Sequence, residues 1–263
     1  MLTSLSSLTR LKTLRLGFLS RSGPESRHPS PQIHVVLLNL TQFWFQGVSE
    51  YLEELVAHID APLLHSVRIT LLNELPFDIS ELPQFIDRSE KFRSLNTTRA
   101  DLCIFEASLE LTLSSQTKTE ITDGIMLALQ ISFLDSCCPP SLSRFFRQSL
   151  PPLATSERLD IRVQESWSRL FLYHDPENIH WINILRLFTA VKVLCLYERA
   201  ALFVVPALEE VAVAEGSAHN MLPALQHTYL EGLQPTGPVQ EAIGRFASAR
   251  QLSGHPIAVH PWE

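Results

Sequence analysis

The chain opens on leucines spaced three, three, three and two apart: Leu5, Leu8, Leu11, Leu14 and Leu16. The closing x-x-L-x-L is a strand pattern. It turns Leu14 and Leu16 to one side of an extended segment and Arg15 to the other. The spacing returns at Leu64, Val67, Ile69 and Leu71, and again at Phe188, Val191, Leu194 and Leu196. Leu208, Val211 and Val213 give a shorter copy, and Leu222, Leu225 and Leu230 a weaker one. Alternating strands of the same kind are read at Leu159/Ile161/Val163, Leu109/Leu111/Leu113 and Leu129/Ile131/Phe133. Another, Val36/Leu38/Leu40, runs on towards Phe43 and Phe45.

Helix signals stand between many of these strands. SEYLEELVAHI (49–59) places Leu52, Leu55, Val56 and Ile59 on one face, with Ser49 as N-cap. SELPQFIDR (80–88) starts with Ser80 and has Pro83 in its first turn. Further helices are read at 141–150 and 177–188. The cleanest lies at 238–252, where Pro238 takes the first helical position and Gly254 follows the end. One strand with one helix cannot bury its own apolar face, whereas stacked neighbours share a continuous core. The expected fold is therefore a single α/β domain over 1–263. It is an irregular, horseshoe-like leucine-rich-repeat solenoid with parallel strands on the concave face and 238–252 as a C-terminal capping helix. Strand anchors recur at roughly 20–35 residues, against about 20–29 in a regular array, so several repeats are degenerate or interrupted. Residues 95–133 hold irregular strands in which an antiparallel excursion fits. SRSGPESRHPSPQ (20–32) reads as a mobile surface loop.

Composition removes several function classes. The net charge is −7 and no Lys/Arg cluster appears, which argues against nucleic acid and anionic lipid. The 9 glycines are too scattered to build a phosphate cradle. None of the four cysteines, Cys103, Cys137, Cys138 and Cys195, forms a C-x-x-C pair or a disulfide framework. Reduced thiols and an N-terminus unlike a signal peptide lead to a cytoplasmic or nuclear expectation, with the sequons at Asn39 and Asn96 incidental.

Three phrases carry a family resemblance. LPALQHTYLEGLQPTGPVQEAIGRFASARQLSGHPIAVHPWE (222–263), SVRITLLNELPFDISELPQFIDRSEKFRSL (66–95) and PPLATSERLDIR (151–162) resemble fungal F-box proteins of the group expanded in basidiomycetes. The resemblance implies a repeat region that captures the substrate of a cullin-RING ubiquitin ligase. In that family an F-box motif ahead of the repeats docks on the ligase adaptor. This sequence begins within the repeats at Leu5, so adaptor binding is expected only if an F-box lies upstream. The same observation leaves Leu5, Leu8 and Leu11 uncapped and predicts poor solubility. The alternative is a repeat-only scaffold, or a truncated gene product, with no ligase role.

No catalytic constellation stands out, and neither enzyme activity nor a cofactor is expected. His255 and His260, and His174, Asp175, Glu177 and His180, lack flanking ligands at metal spacing. Cys137 has no catalytic surroundings. The pairs Glu53/Glu54 and Glu209/Glu210 read as solvated charges. The candidate protein-binding surface consists of outward strand positions: Arg15, Arg68, Thr70, Glu110, Thr112, Gln130, Ser132, Asp160, Arg162 and Lys192. Trp44, in the middle of Phe43-Trp44-Phe45, is the candidate aromatic anchor. A folded protein is the expected partner.

Overall fold

The computed structural model describes residues 8, 10–18, 34–72, 80–93, 99–105, 108–115, 126–132, 151–164, 181–213, 221–232 and 237–262. The 20–32 loop, the 141–150 helix, Leu5, Cys137, Cys138 and the His174 to His180 cluster lie outside them.

Ten strands form one sheet: β1 (Thr13–Gly17), β3 (Gln42–Gly47), β5 (Ser66–Leu71), β6 (Arg99–Phe105), β7 (Ser108–Ser114), β8 (Met126–Ser132), β9 (Arg158–Val163), β10 (Val193–Tyr197), β11 (His227–Glu231) and β12 (Ala258–Trp262). Their spatial order is β1-β3-β5-β8-β7-β6-β9-β10-β11-β12. Every pairing is parallel except the two made by β7, which runs against β6 and β8. The antiparallel excursion expected in 95–133 is this meander. Two short strands, β2 (Val35–Val36) and β4 (Ile59–Asp60), pair separately. The described helices are α1 (Ser49–Val56), α2 (Glu81–Arg88), α3 (Glu90–Arg93), α4 (Trp181–Leu185), α5 (Glu198–Val213) and α6 (Pro238–Leu252).

The leucine spacing has a local cause. In L-x-x-L the first residue's carbonyl accepts the N–H of the last, closing a turn just ahead of a strand. The turn recurs at Leu8–Leu11, Leu37–Leu40, Ala61–Leu64, Leu153–Ser156 and Leu222–Leu225, with N···O distances of 2.9–3.3 Å. The residue before each strand then links neighbouring units. The carbonyl of Lys12 accepts N–H from Thr41 and Gln42, that of Thr41 from His65 and Ser66, and that of Lys192 from Gln226 and His227. The strand that follows buries its alternate positions. Phe43, Phe45, Val67, Ile69, Leu102, Leu111, Leu129, Ile161, Leu194 and Leu230 all enter one core. Each such side chain contributes about 1.5–3 kcal/mol on burial.

Helices close that core from the other side. Leu52, Leu55 and Val56 of α1, and Leu82, Phe85 and Ile86 of α2, face inward, with the Phe85 ring edge-on to Phe43 at 5.4 Å. Polar side chains fix the helix layer. Arg88 donates to the carbonyls of Val56 and Ile59 and to Asp60, and the Ser89 hydroxyl donates to the carbonyl of Leu64 at 2.7 Å. Arg250, fully buried on α6, donates to the carbonyls of Pro223 and Leu225. Its guanidinium is pushed below its ordinary pKa by burial.

Several expectations are corrected. Leu208, Val211 and Val213 lie in the helix α5, not in a strand. The three-residue step from Leu208 to Val211 also fits a helix, and with Ala200, Ala201, Val204 and Val205 these two buried residues continue a period near 3.6. Ser49 is not an N-cap. Val48 holds that position and the Ser49 hydroxyl bonds Glu50 instead. Ser80 is the N-cap of α2, yet its side chain makes no cap bond; the N–H groups there go to Glu53. That also moves Glu53 out of the class of solvated charges. The 36–40 strand is only β2, because a turn at Leu37–Leu40 separates it from β3. Helix 238–252 is present as α6, ended by Gly254 at φ +82 with the His255 N–H on the carbonyl of Arg250. It packs beside α5, and the sheet's last strand is β12, so α6 is not the terminal cap.

Candidate interaction face on the sheet

The sheet side opposite the helices carries the polar half of every strand. Register aligns these positions into rungs. One reads Arg15, Trp44, Arg68, Ala128, Thr112, Asp101, Asp160, Cys195, Tyr229 and His260. The next, towards the C-terminal strand ends, includes Gln46, Thr70, Gln130, Glu110, Cys103 and Arg162. Nine of the eleven residues named for the binding surface, all but Ser132 and Lys192, therefore lie on two neighbouring rungs. Thr112 joins the first of these rungs, and Ser132 shares the same sheet side on β8. Lys192 precedes β10 by one residue, out of phase with the outward positions Val193, Cys195 and Tyr197. It sits at the rim, 2.7 Å from the carboxylate of Glu157.

At one end of the face Trp44 stands between two arginines from the adjacent strands. The Arg15 Cζ is 3.7 Å from the indole centroid and the Arg68 Cζ 4.9 Å. Both arginines are exposed and Trp44 is half-buried. The indole is thus neither a bare anchor nor a core residue. Its Nε1 is buried without a hydrogen-bond partner. One rung on, the Thr70 hydroxyl donates to Gln130 Oε1 at 3.4 Å.

The middle of the face holds a charge cluster. Asp101 and Asp160 are direct neighbours on β6 and β9, and two like charges side by side repel. Arg99 lies between them, donating to Asp101 at 2.7 Å and lying 3.2 Å from Asp160. Arg158 grips Asp160 through two bonds of 2.8 and 3.0 Å. The Asp160 side chain is 0% exposed. Hydrogen bonding to this carboxylate raises Arg158 above its ordinary pKa. Arg162 donates to the Tyr197 hydroxyl at 2.7 Å, with its Cζ 4.4 Å from that ring. Burial pushes up the thiol of Cys103 and takes that of Cys195 to about 12, with Asp160 adding to the latter. Thiols kept protonated are poor nucleophiles. The cluster is suited to fixing strands and presenting charge.

At the other end the rings of His227 and His260 share a hydrogen bond, Nδ1 to Nε2 at 3.2 Å, and Tyr229 stacks on His260 at 4.8 Å. Among the described residues, no three of His, Cys, Asp or Glu converge so as to hold a metal ion. The described helices include none long and apolar enough to cross a membrane. On the helix side, an open depression lined by His34, Asp60, Asp87, Arg88 and Arg93 has its main cation, Arg88, already committed to Asp60 and two carbonyls.

No protein-family model, curated protein or solved structure matches this chain.

Arg99, Asp101, Arg158 and Tyr197 belong to this face and were not singled out from the sequence. A signal was present. RADLCI (99–104) and RLDIRV (158–163) share an R-x-D step followed by alternating apolar residues. Two strands with the same polar step on one side can pair in register and cross-link their charges.

Proposed function

We propose that this chain is a non-catalytic protein-binding module of the leucine-rich-repeat kind. In this reading it is an irregular solenoid that contacts its partner through the polar sheet face. We propose further that it captures the substrate of a cullin-RING ubiquitin ligase as part of an F-box-type subunit. The observation that carries the binding reading is the alignment of Arg15, Trp44, Arg68, Thr70, Gln130, Glu110 and Arg162 on two adjacent rungs of one face. A half-buried tryptophan with flanking arginines has the composition typical of interface hot spots. The solenoid reading is supported by the turn that recurs two residues ahead of β1, β3, β5, β9 and β11 and by the shared carbonyls that link neighbouring units. The ligase reading is supported by the three phrases that resemble the repeat region of F-box proteins. They cover β5 to α3, the turn with all but the last residue of β9, and β11 through β12.

A photoreactive amino acid at Gln130, on the face, and another at Ala154, exposed away from it, test the proposal in native cells. The expected result is one protein cross-linked from position 130 and absent from position 154, competed by excess unlabelled chain. Equal labelling from both positions, or no competable protein, overturns the binding reading. Capture without any cullin-complex component in the same assembly overturns the ligase role and leaves a scaffold.

A further inference from the structure

We propose that the Arg15–Trp44–Arg68 triple is the docking point for an acidic segment of the partner protein. This rests on the binding-face reading and supplies the chemistry of its ligand. Five described arginines lie on the face. Arg99, Arg158 and Arg162 each have a carboxylate within 4 Å. Arg15 and Arg68 have none among the described residues, and both are exposed. Their outward neighbours Thr13, Gln42, Ser66, Gln46 and Thr70 are uncharged, while Arg10 and Lys12 lie just ahead of β1. In a chain with 28 acidic and 21 basic residues, this end of the sheet is a local cationic patch.

The indole gives the patch its specificity. A guanidinium stacked on a ring keeps its N–H edge available for a two-bond grip on a carboxylate. Holding both arginines against Trp44 also reduces the side-chain freedom lost on binding. The two flanking strands place their Cα atoms roughly 10 Å apart, a span an extended peptide covers in about three residues. Aspartate or glutamate side chains of one short run therefore reach both cations. Nucleic acid fits less well. The arginines occupy the indole that a base would stack on, and acidic Asp101 and Glu110 lie further along the same face.

The test measures anisotropy of fluorescein-labelled glutamate, glutamine and lysine octapeptides with the full chain. The expected result is saturable binding of the glutamate peptide alone. Raising salt from about 0.05 to about 0.3 M should weaken it several-fold, as screening requires. R15E and R68E each reduce affinity about tenfold or more, arginine-to-lysine variants less, and K91E, exposed on α3 in the helix layer, not at all. Equal binding of the glutamine peptide overturns the proposal. So does glutamate binding unaltered in both charge-reversal variants, better competition by an oligothymidylate, or no binding. The peptide and salt comparisons use the unaltered chain, so they decide even where a variant misfolds. Cross-linking at Gln130 that persists without glutamate-peptide binding removes only the acidic-segment proposal. Loss of that cross-link removes the binding-face reading as well.

Discussion

The carboxylate of Glu53, on α1, accepts the backbone N–H groups of Glu81 and Leu82 at 2.7 and 3.1 Å, so one helix caps the next. The first N–H groups of a helix have no partner within it, and an anion there also meets the positive end of its dipole. Glu53→Gln removes the charge and one acceptor oxygen. It should cost about 1–2 kcal/mol in urea unfolding. A variant as stable as the parent would show that this bond does not hold α2 to α1.

Asp160 is the buried counter-ion of two arginines, and its loss leaves Arg99 and Arg158 under-compensated. Asp160→Asn should cost about 3–5 kcal/mol. Asp101→Asn should cost less, because Asp101 is 23% exposed and water can replace part of what is lost. The ranking is checked by denaturant midpoints for the two variants, and the reverse order would contradict the burial argument.

Cys195 gives a pH dependence of known sign. Burial, with help from Asp160, pushes its thiol from the ordinary 9.0 to about 12. The unfolded chain then loses this proton before the folded one does. The associated stability is complete below pH 9 and is lost as pH rises towards 12. The parent should lose more stability between pH 8 and 10.5 than Cys195→Ala does. Identical slopes would refute the shift. The folded thiol should also resist alkylation at pH 8.

Pro206 lies inside α5, with no N–H to offer the carbonyl of Leu202, and both residues are exposed. Pro206→Ala restores that donor while freeing the unfolded backbone. The helical gain is the larger effect, so a net stabilisation of about 1–2 kcal/mol is expected. A drop in melting temperature would mean that the ring packs against something the helix needs.

The strands were legible where their alternation was long. Leu14/Leu16, Ile69/Leu71, Leu111/Leu113 and Ile161/Val163 each lie on the core side of a strand, and period two reports that directly. Helix α6 was legible from Pro238 and Gly254, because those residues act through their own backbone geometry. The Leu208–Val213 segment was misread because a three-residue step belongs equally to a turn before a strand and to a helix face. The antiparallel excursion in 95–133 was legible from its irregular strands, but that β8 and not β6 takes the place beside β5 was not, since which strand pairs with which depends on contacts far apart in the chain. Of the face, Arg15, Trp44 and Arg68 follow from parity alone. The Asp160 cluster does not, because parity says outward while two guanidiniums from separate strands decide that the carboxylate is covered.

The lone reversed strand β7 also bears on how the molecule assembles. Strands β1, β3 and β5 can zip together as each appears during synthesis, but β6 finds no place beside β5. That place is filled by β8, made two strands later. Growth from the N-terminal side therefore pauses until the β6–β7–β8 meander lies down as a block, and the C-terminal strands then extend from β6. Such a seam predicts two folding nuclei joined late, with non-local pairing setting the speed. In pulsed hydrogen exchange, the amides of β8 should become protected no sooner than those of β7. Early protection of β8 would mean that the two halves meet before the meander forms.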